Sequence, residues 1–376
     1  MSAGDPASLI AAWQALAGRH DLPWQDTRDA YRIWLSEIML QQTQANTVIP
    51  YFHRFLSRFP DVCSLADAPL DAVLQAWAGL GYYARARNLH RCAQRIRDEH
   101  SGQFPAQPET LAQLPGIGRS TAAAIAAFAH GVRVPILDGN VRRVLIRYLA
   151  LAGDPQSTAM NRRLWAQAQA WLDQAPANLD MQAYTQGQMD LGAMVCTRSR
   201  PDCSRCPLLE SCAAHRLGQQ DSLPSPRPRK AQPQHQVWLL IMEYQQQLWL
   251  QRRPDTGVWG GLWTPPLLGS PAALQTVLQG LGQPDTVALA GFEHVFTHFR
   301  LAMQPVWLRL PKAAPAIQPS WQQLPAGKGA TARNPVLIDL DAGQSSWTPL
   351  TALNGLGMPA PVATLLDGLY PAAAAL

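Results

Sequence analysis

The sequence predicts two domains of different class, a mainly α-helical domain followed by a smaller α+β domain. Three observations carry this. Apolar residues recur at three- and four-residue spacing through the first 217 residues. Short β-like runs take over beyond about residue 236, and a proline-rich stretch separates the two textures. At 376 residues the length suits two domains, or three at most.

The helical spacing is clearest in 31–40, 44–56, 70–77, 83–96, 120–129, 140–151 and 160–172. Pro50, Pro60, Pro69, Gly81, Pro105, Pro115 and Pro155 punctuate the gaps. Between 224 and 233, Pro224, Pro226, Pro228 and Pro233 alternate with Arg227, Arg229 and Lys230, which reads as a stiff, extended basic linker. Beyond it, strands are expected at 237–243, 248–251, 301–310 and 335–340, with one helix near 272–281. The expected boundaries are 1–220 for the helical domain, 221–235 for the linker and 236–370 for the second domain. No internal repeat is visible.

Composition narrows the class. With 47% apolar and 15% charged residues the chain suits packed cores and not disorder or a coiled coil. No run of about 18 apolar residues offers a membrane span. Residues 1–7 lack the basic and apolar regions of a signal peptide, so a cytoplasmic or nucleoid location is expected. The net charge is +5, and residues 1–225 hold 21 Arg against 19 Asp and Glu, so bulk charge does not argue for nucleic acid. The only lysines are Lys230, Lys312 and Lys328, which leaves residues 1–229 with none.

Four of the six cysteines, Cys196, Cys203, Cys206 and Cys212, form a C-x6-C-x2-C-x5-C array. Cysteines packed this tightly in a cytosolic chain bind metal more often than each other. Zinc sites usually show two close pairs; one close pair with outlying ligands suits a cubane held by four thiolates. Arg198, Arg200 and Arg205 lie between the ligands, where they offset thiolate charge or meet DNA phosphate. Cys63 and Cys92 fall in helical patterns and read as buried small hydrophobes.

The segment Leu114-Pro115-Gly116-Ile117-Gly118 opens onto the Ala-rich run from Ser120. Two glycines ahead of a helix N-terminus let backbone amides approach a phosphate, although a plain helix–helix turn reads the same way. No Walker lysine follows, which argues against a nucleotide-binding P-loop.

The hairpin and the cysteine array together resemble the helix-hairpin-helix DNA glycosylases of the endonuclease III type over roughly residues 20–215. Within that span, the segments 35–44, 79–83 and 137–141 resemble MutY-type adenine DNA glycosylases, which act on adenine opposite 8-oxoguanine. The resemblance implies one [4Fe-4S] cluster on the four cysteines, in a module of about 135–217. It also implies a double-stranded DNA partner carrying an A:8-oxoguanine or A:G mispair, and we expect a monomer.

Glu37 stands among apolar neighbours, where desolvation favours the neutral acid; an exposed stripe of an amphipathic helix is the alternative. The resemblance implies that Glu37 protonates adenine at N7. Asp138 precedes a helical run and reads as its N-cap, as a carboxylate facing the sugar, or as both. The resemblance implies the sugar-facing role, with Asn140 helping to position the site. Bifunctional relatives carry a lysine nucleophile just after the hairpin; this chain has Ser120 and no earlier lysine, so an efficient lyase step is not expected.

A glycosylase must extrude its base and fill the gap. The resemblance implies that Gln42 and Tyr82 enter or contact the base stack, with Leu114, Gly116, Gly118, Arg198 and Arg200 at the DNA. It places Leu22 and Trp24 at the adenine pocket. Read alone, Tyr82 is as easily a core aromatic. Residues 236–370 resemble the MutT-like, Nudix-fold domain of MutY proteins, beginning at Gly257-Val258-Trp259-Gly260-Gly261. Residues 260–285 contain no Glu, so the metal-holding helix of a working Nudix hydrolase is missing. The resemblance makes Phe296, Thr297 and His298 the 8-oxoguanine reader, with Thr297 where the family has Ser. The expected activity is hydrolysis of the N-glycosidic bond without strand cleavage.

Overall fold

The computed structural model describes residues 5–226, 231–254, 257–311 and 344–371. Arg227, Pro228, Arg229 and Lys230 of the expected linker lie outside the described residues, as do Lys312, Lys328 and the expected strand 335–340. The chain forms two compact units that do not follow chain order. One comprises Met1–Asp67 and Asn88–Arg229, the other Ala68–Arg87 and Lys230–Leu376.

The first unit is helical. It holds α1 (Pro6–Ala17), α2 (Ala30–Leu40), α3 (Ala45–Arg58) and α4 (Val62–Asp67). The helix α5 (Leu70–Ala76) belongs to the second unit, and α6 (Ala84–His100) starts in the second and continues into the first. Then follow α7 (Pro108–Leu111), α8 (Arg119–His130), α9 (Gly139–Tyr148), α10 (Thr158–Gln174), α11 (Met181–Asp190) and, beyond the cysteine loop, α12 (Ala213–Arg216). Asp29 caps α2 by accepting the Tyr31 amide at 2.9 Å, and Asp180 caps α11 through Gln182 and Ala183. Ile33, Trp34, Leu35, Ile38 and Met39 bury two faces of α2. Ala122, Ala123, Ala124, Ala126 and Ala127 of α8 are buried, and α2 packs on α8. Small side chains permit that close approach.

Periodicity foretold seven of these helices to within a few residues, but not α1, α4, α7, α11 or α12. Helices α4, α7, α11 and α12, of four to ten residues, are short or polar enough to carry little pattern, whereas the twelve-residue α1 is apolar nearly all round and shows no polar face to mark a period. In α11, MQAYTQGQMD, glutamines are buried through hydrogen bonds and not through an apolar stripe. One expectation is corrected. Cys92 is buried, but Cys63 is exposed, because the buried stripe of α4 is Val62, Leu65 and Ala66.

In the second unit, the described residues form one mixed sheet of eight strands. These are β1 (Gln234–Tyr244), β2 (Gln247–Arg252), β3 (Trp263–Thr264), β4 (Leu267–Leu268), β5 (Thr286–Ala288), β6 (Phe292–Val295), β7 (Arg300–Arg309) and β8 (Ser345–Pro349). The path runs β3-β2-β1-β7-β5, with β4 on β1, β6 on β7 and β8 on β2. Only β1 and β7 run parallel, in a register from Gln234–Arg300 to Glu243–Arg309. The helix α13 (Pro271–Gly280) lays Leu274, Val277 and Leu278 on this sheet with Leu240, Leu268 and Leu308, and α14 (Ala360–Leu369) buries Val362 and Leu366.

The segment 68–87 is held in this unit by specific bonds. Tyr83 Oη donates to the Met358 carbonyl at 3.1 Å and Gln75 Nε2 to the Asn354 carbonyl at 2.6 Å. Arg87 donates to the Gly260 carbonyl, and Arg252 lies 3.7 Å from Asp71. Gly357 gives way to Leu74, whose Cβ would stand 2.9 Å from any Cβ placed there. No helix among the described residues is long and apolar enough to cross a membrane.

Candidate active site and DNA-contacting elements

Within the helical unit, Glu37 lines a cavity of about 270 Å³ together with Leu22, Trp24, Ile33, Leu40 and Gln186. Glu37 keeps partial exposure by facing this cavity, while its carboxyl is enclosed by protein. Burial first, and the charge of Asp138 second, push it up to about 8. The exposed-stripe reading of Glu37 is thereby excluded. Trp24 and Leu22 are both buried, and Trp24 meets Phe52 edge to face at 5.4 Å.

Asp138 caps α9, its carboxylate accepting the Val141 amide at 2.7 Å. Burial raises its pKa, held back by backbone amides of Val141 and Asn140 and by Arg143 and Arg142. It therefore stands near enough to Glu37 for its charge to oppose ionisation of that acid, while donors at the head of α9 favour its own charge. Ser120, at the start of α8, accepts the Leu137 amide at 3.0 Å. Asn140 is engaged by Arg143 at 2.8 Å and rests on Gly192, where a Cβ would approach its own Cβ to 2.5 Å.

The sequence reading missed the residues that hold the cavity wall. Asp190, fully buried at the end of α11, accepts Arg19 Nε at 2.7 Å, the Arg19 amide at 2.9 Å and Gln186 Nε2 at 2.8 Å. Gln25 adds a bond to the Arg19 carbonyl at 3.0 Å and accepts the Leu22 amide at 3.2 Å. Together they fix the irregular loop that presents Leu22 and Trp24. A carboxylate in this polar helix carries no local signal; only its partner 171 residues away explains it.

The hairpin between α7 and α8 turns at Gly116, with φ +79°, where a Cβ would lie 2.8 Å from that of Asn88. Gly118 precedes α8 and no side chain caps that helix. Gly116 and Gly118 are exposed, whereas Leu114 is buried, with its amide donating to the Leu111 carbonyl at 3.1 Å and its carbonyl accepting the Ile117 amide at 3.2 Å. Gln42 and Tyr82 are exposed and both adopt left-handed φ, 59° and 49°. Such conformations are uncommon for these residue types and concentrate at functional sites. The core reading of Tyr82 is excluded by its 48% exposure.

The four cysteines line one small cavity with Val144, Val195, Leu208 and Arg147. Among the described residues, no three His, Cys, Asp or Glu side chains are drawn together as a metal set. Arg147 is buried and donates to Cys196 Sγ at 3.3 Å, to the Thr197 carbonyl at 2.7 Å and to the Leu223 carbonyl at 2.8 Å. Arg143 binds the carbonyls of Cys196 and Gly192, each at 2.7 Å. Two arginines of α9 thus tie the helix capped by Asp138 to the cysteine loop. Arg198 and Arg200 are exposed on that loop.

In the second unit, Thr297 and His298 are exposed. Beneath them the rings of Phe296 and Phe299 stack at 4.5 Å, His294 meets Phe296 at 4.6 Å, and Trp259 lies 5.7 Å from Phe296. Tyr82 Oη and Thr297 Oγ1 are 3.2 Å apart.

The family model described as HhH-GPD superfamily base excision DNA repair protein matches residues 35–169, and the NUDIX domain model matches residues 237–368. The adenine DNA glycosylase of Buchnera aphidicola subsp. Acyrthosiphon pisum (strain APS) is 37% identical over 307 residues, spanning 81% of this chain and 87% of that one. The chain belongs to the adenine DNA glycosylase family. The human adenine DNA glycosylase is 45% identical over 215 residues, 54% of this chain and 38% of that protein. A solved thermostable thymine-DNA glycosylase superposes with a TM-score of 0.50 at 25% identity, covering 56% of this chain and 95% of that one. The helical fold and the Nudix domain expected from sequence are both present, and the protein is a base-excision-repair glycosylase acting on DNA.

Proposed function

We propose that this glycosylase removes adenine paired with 8-oxoguanine or G, and that it stops at the abasic site. The carrying observation is the cavity that joins the raised acid Glu37 to Leu22 and Trp24, with Asp138 acting on the same acid. Glu37, protonated at neutral pH, gives its proton to N7 of the extruded adenine. The C1′–N9 electron pair leaves with the base, and positive charge develops at C1′. Asp138, at the head of α9, would face that charge as a carboxylate; Asn140 holds the turn beside it, and Ser120 the segment before it. Water adds to C1′, and its proton restores the acid.

Gln42 and Tyr82 would enter the stack, and the amides around Gly116 and Gly118 would hold phosphate, with the buried Leu114 supporting the turn beneath them. Arg198 and Arg200 supply further phosphate contacts. The exposed Thr297 and His298, set with Phe296 on an aromatic stack, would read 8-oxoguanine. Cys196, Cys203, Cys206 and Cys212 would hold one [4Fe-4S] cluster: four thiols share one apolar cavity, and a buried guanidinium meets Cys196. Bound there, the cluster would cross-link the loop that carries the two exposed arginines. The domain division is proposed as 1–220, 221–235 and 236–370 along the chain, and the working form as a monomer.

The test is a panel of duplexes carrying A:8-oxoguanine, A:G or T:G, developed with and without alkali. Excision from the two adenine pairs, with breaks appearing only after alkali, is expected. Breaks without alkali at the rate of base loss would overturn the monofunctional reading; preference for T:G would overturn the substrate. Iron analysis of the purified protein, at about four per chain, tests the cluster.

A further inference from the structure

The turn Gly79–Tyr82 joins α5 to α6 and places its exposed aromatic ring at the end of an unfavourable backbone path. Gly79, Gly81 and Tyr82 all have positive φ, 95°, 71° and 49°. For tyrosine this conformation persists only where surrounding contacts over-determine it. Those contacts converge from two side chains. Trp77 Nε1 donates to the Gly81 carbonyl at 3.1 Å. Arg85, itself buried, donates through one terminal nitrogen to the Leu80 carbonyl at 3.1 Å and the Gly81 carbonyl at 3.2 Å.

The same guanidinium lies 5.3 Å from the Trp77 ring centroid and 5.5 Å from that of Tyr82. It therefore sits between a fully buried ring and an exposed one, within cation–π range of both. Burial pulls it down only to about 10, so it is cationic at neutral pH. One guanidinium nitrogen binds two successive carbonyls while the planar group faces two rings; a lysine ammonium could reach the carbonyls but has no planar face to lay against the rings.

We infer that Arg85 is a positioning residue for Tyr82, locking the left-handed turn and steadying the ring so that Tyr82 meets the DNA stack already oriented. This rests on the wedge reading of Tyr82 given above. Its consequence is that disorder of the free turn is removed before binding, which favours affinity. Arg85 touches neither base nor sugar in this scheme and acts through Tyr82 alone.

The experiment uses the full chain and a duplex with an A:8-oxoguanine pair flanked by 2-aminopurine, whose fluorescence rises on unstacking. Parent, Arg85→Lys, Tyr82→Ala and the double variant are compared for dissociation constant, fluorescence step and single-turnover excision. Arg85→Lys is expected to weaken binding about tenfold and to shrink the fluorescence step. The loss should fall on these readouts more than on the rate at saturating DNA. The double variant should bind no more weakly than Tyr82→Ala, because both changes remove one function. Additive losses, or a parent-like Arg85→Lys beside a defective Tyr82→Ala, would overturn the role of Arg85 and leave the wedge intact. A parent-like Tyr82→Ala would remove the wedge itself. Trp77→Phe, which keeps a ring and loses only the indole donor, guards against misfolding; it should show a smaller defect of the same kind, and a parent-like result together with an unfolded Arg85→Lys would count against the clamp.

Discussion

The hydroxyl of Ser120 and the amide of Leu137 are joined by a 3.0 Å hydrogen bond. It ties the first turn of the helix after the hairpin to the residue immediately before Asp138. Ser120 thus anchors the irregular segment leading to the carboxylate. Ser120→Ala should lower single-turnover adenine excision about three- to tenfold, the scale of one net hydrogen bond. A loss beyond a thousandfold would show Ser120 acting on the substrate itself.

Glu37 should limit the alkaline side of the reaction. Its pKa is raised by burial to about 8, so the proton it must donate is lost as pH rises through that value. The excision rate should fall above about pH 8, and Glu37→Gln should lower it about a thousandfold or more. Stability follows the same sign. A carboxyl with a raised folded pKa stabilises fully below the ordinary carboxylate range, and that contribution disappears as pH rises through about 8. Melting curves of Glu37→Gln should therefore gain on the parent as pH rises from about 4.5 to about 8, and the difference should level off above that. A constant difference across that window would contradict the buried acid.

Asp138 offers a cleaner separation of folding from chemistry. Asn caps helices about as well as Asp, so Asp138→Asn should keep α9 and its melting temperature within a few degrees. Excision should nevertheless drop about a hundredfold or more, because the charge facing the sugar is gone. Near-parent activity would reduce Asp138 to its capping role.

Gly116→Ala should damage the hairpin twice over. The backbone φ of +79° disfavours any side chain, and the new methyl would meet Asn88 at 2.8 Å. A loss of about 1–3 kcal/mol in denaturant unfolding is expected, with weaker binding to any duplex regardless of mispair. Parent-like stability would mean that Asn88 yields freely.

Much of this site was legible because its key residues sit in short, local motifs. Gly116 and Gly118 mark a turn by composition alone, and the cysteine array needs only counting. The apolar neighbours of Glu37 and the helix after Asp138 each left two readings open, and the family resemblance chose between them. What escaped were groups whose meaning depends on distant partners. Arg19 and Asp190 lie 171 residues apart in sequence, and neither flank looks unusual. Arg147 reads as one more surface arginine of an amphipathic helix, yet it is buried against Cys196 and three loop carbonyls. The strands β3, β4, β5 and β6, of two to four residues, are too short for alternation to reveal.

The placement of residues 68–87 changes what a cut in the linker would separate. Their bonds to Met358, Asn354, Gly260 and Thr297 all lie in the second unit. A proteolytic fragment ending near residue 226 would carry Gln75, Tyr82, Tyr83 and Arg87 away from those partners. Conversely, grafting residues 231–371 onto another glycosylase would transfer the Thr297 loop without the ring that its hydroxyl meets. Modular exchange along the chain would thus break a piece that, in space, is whole.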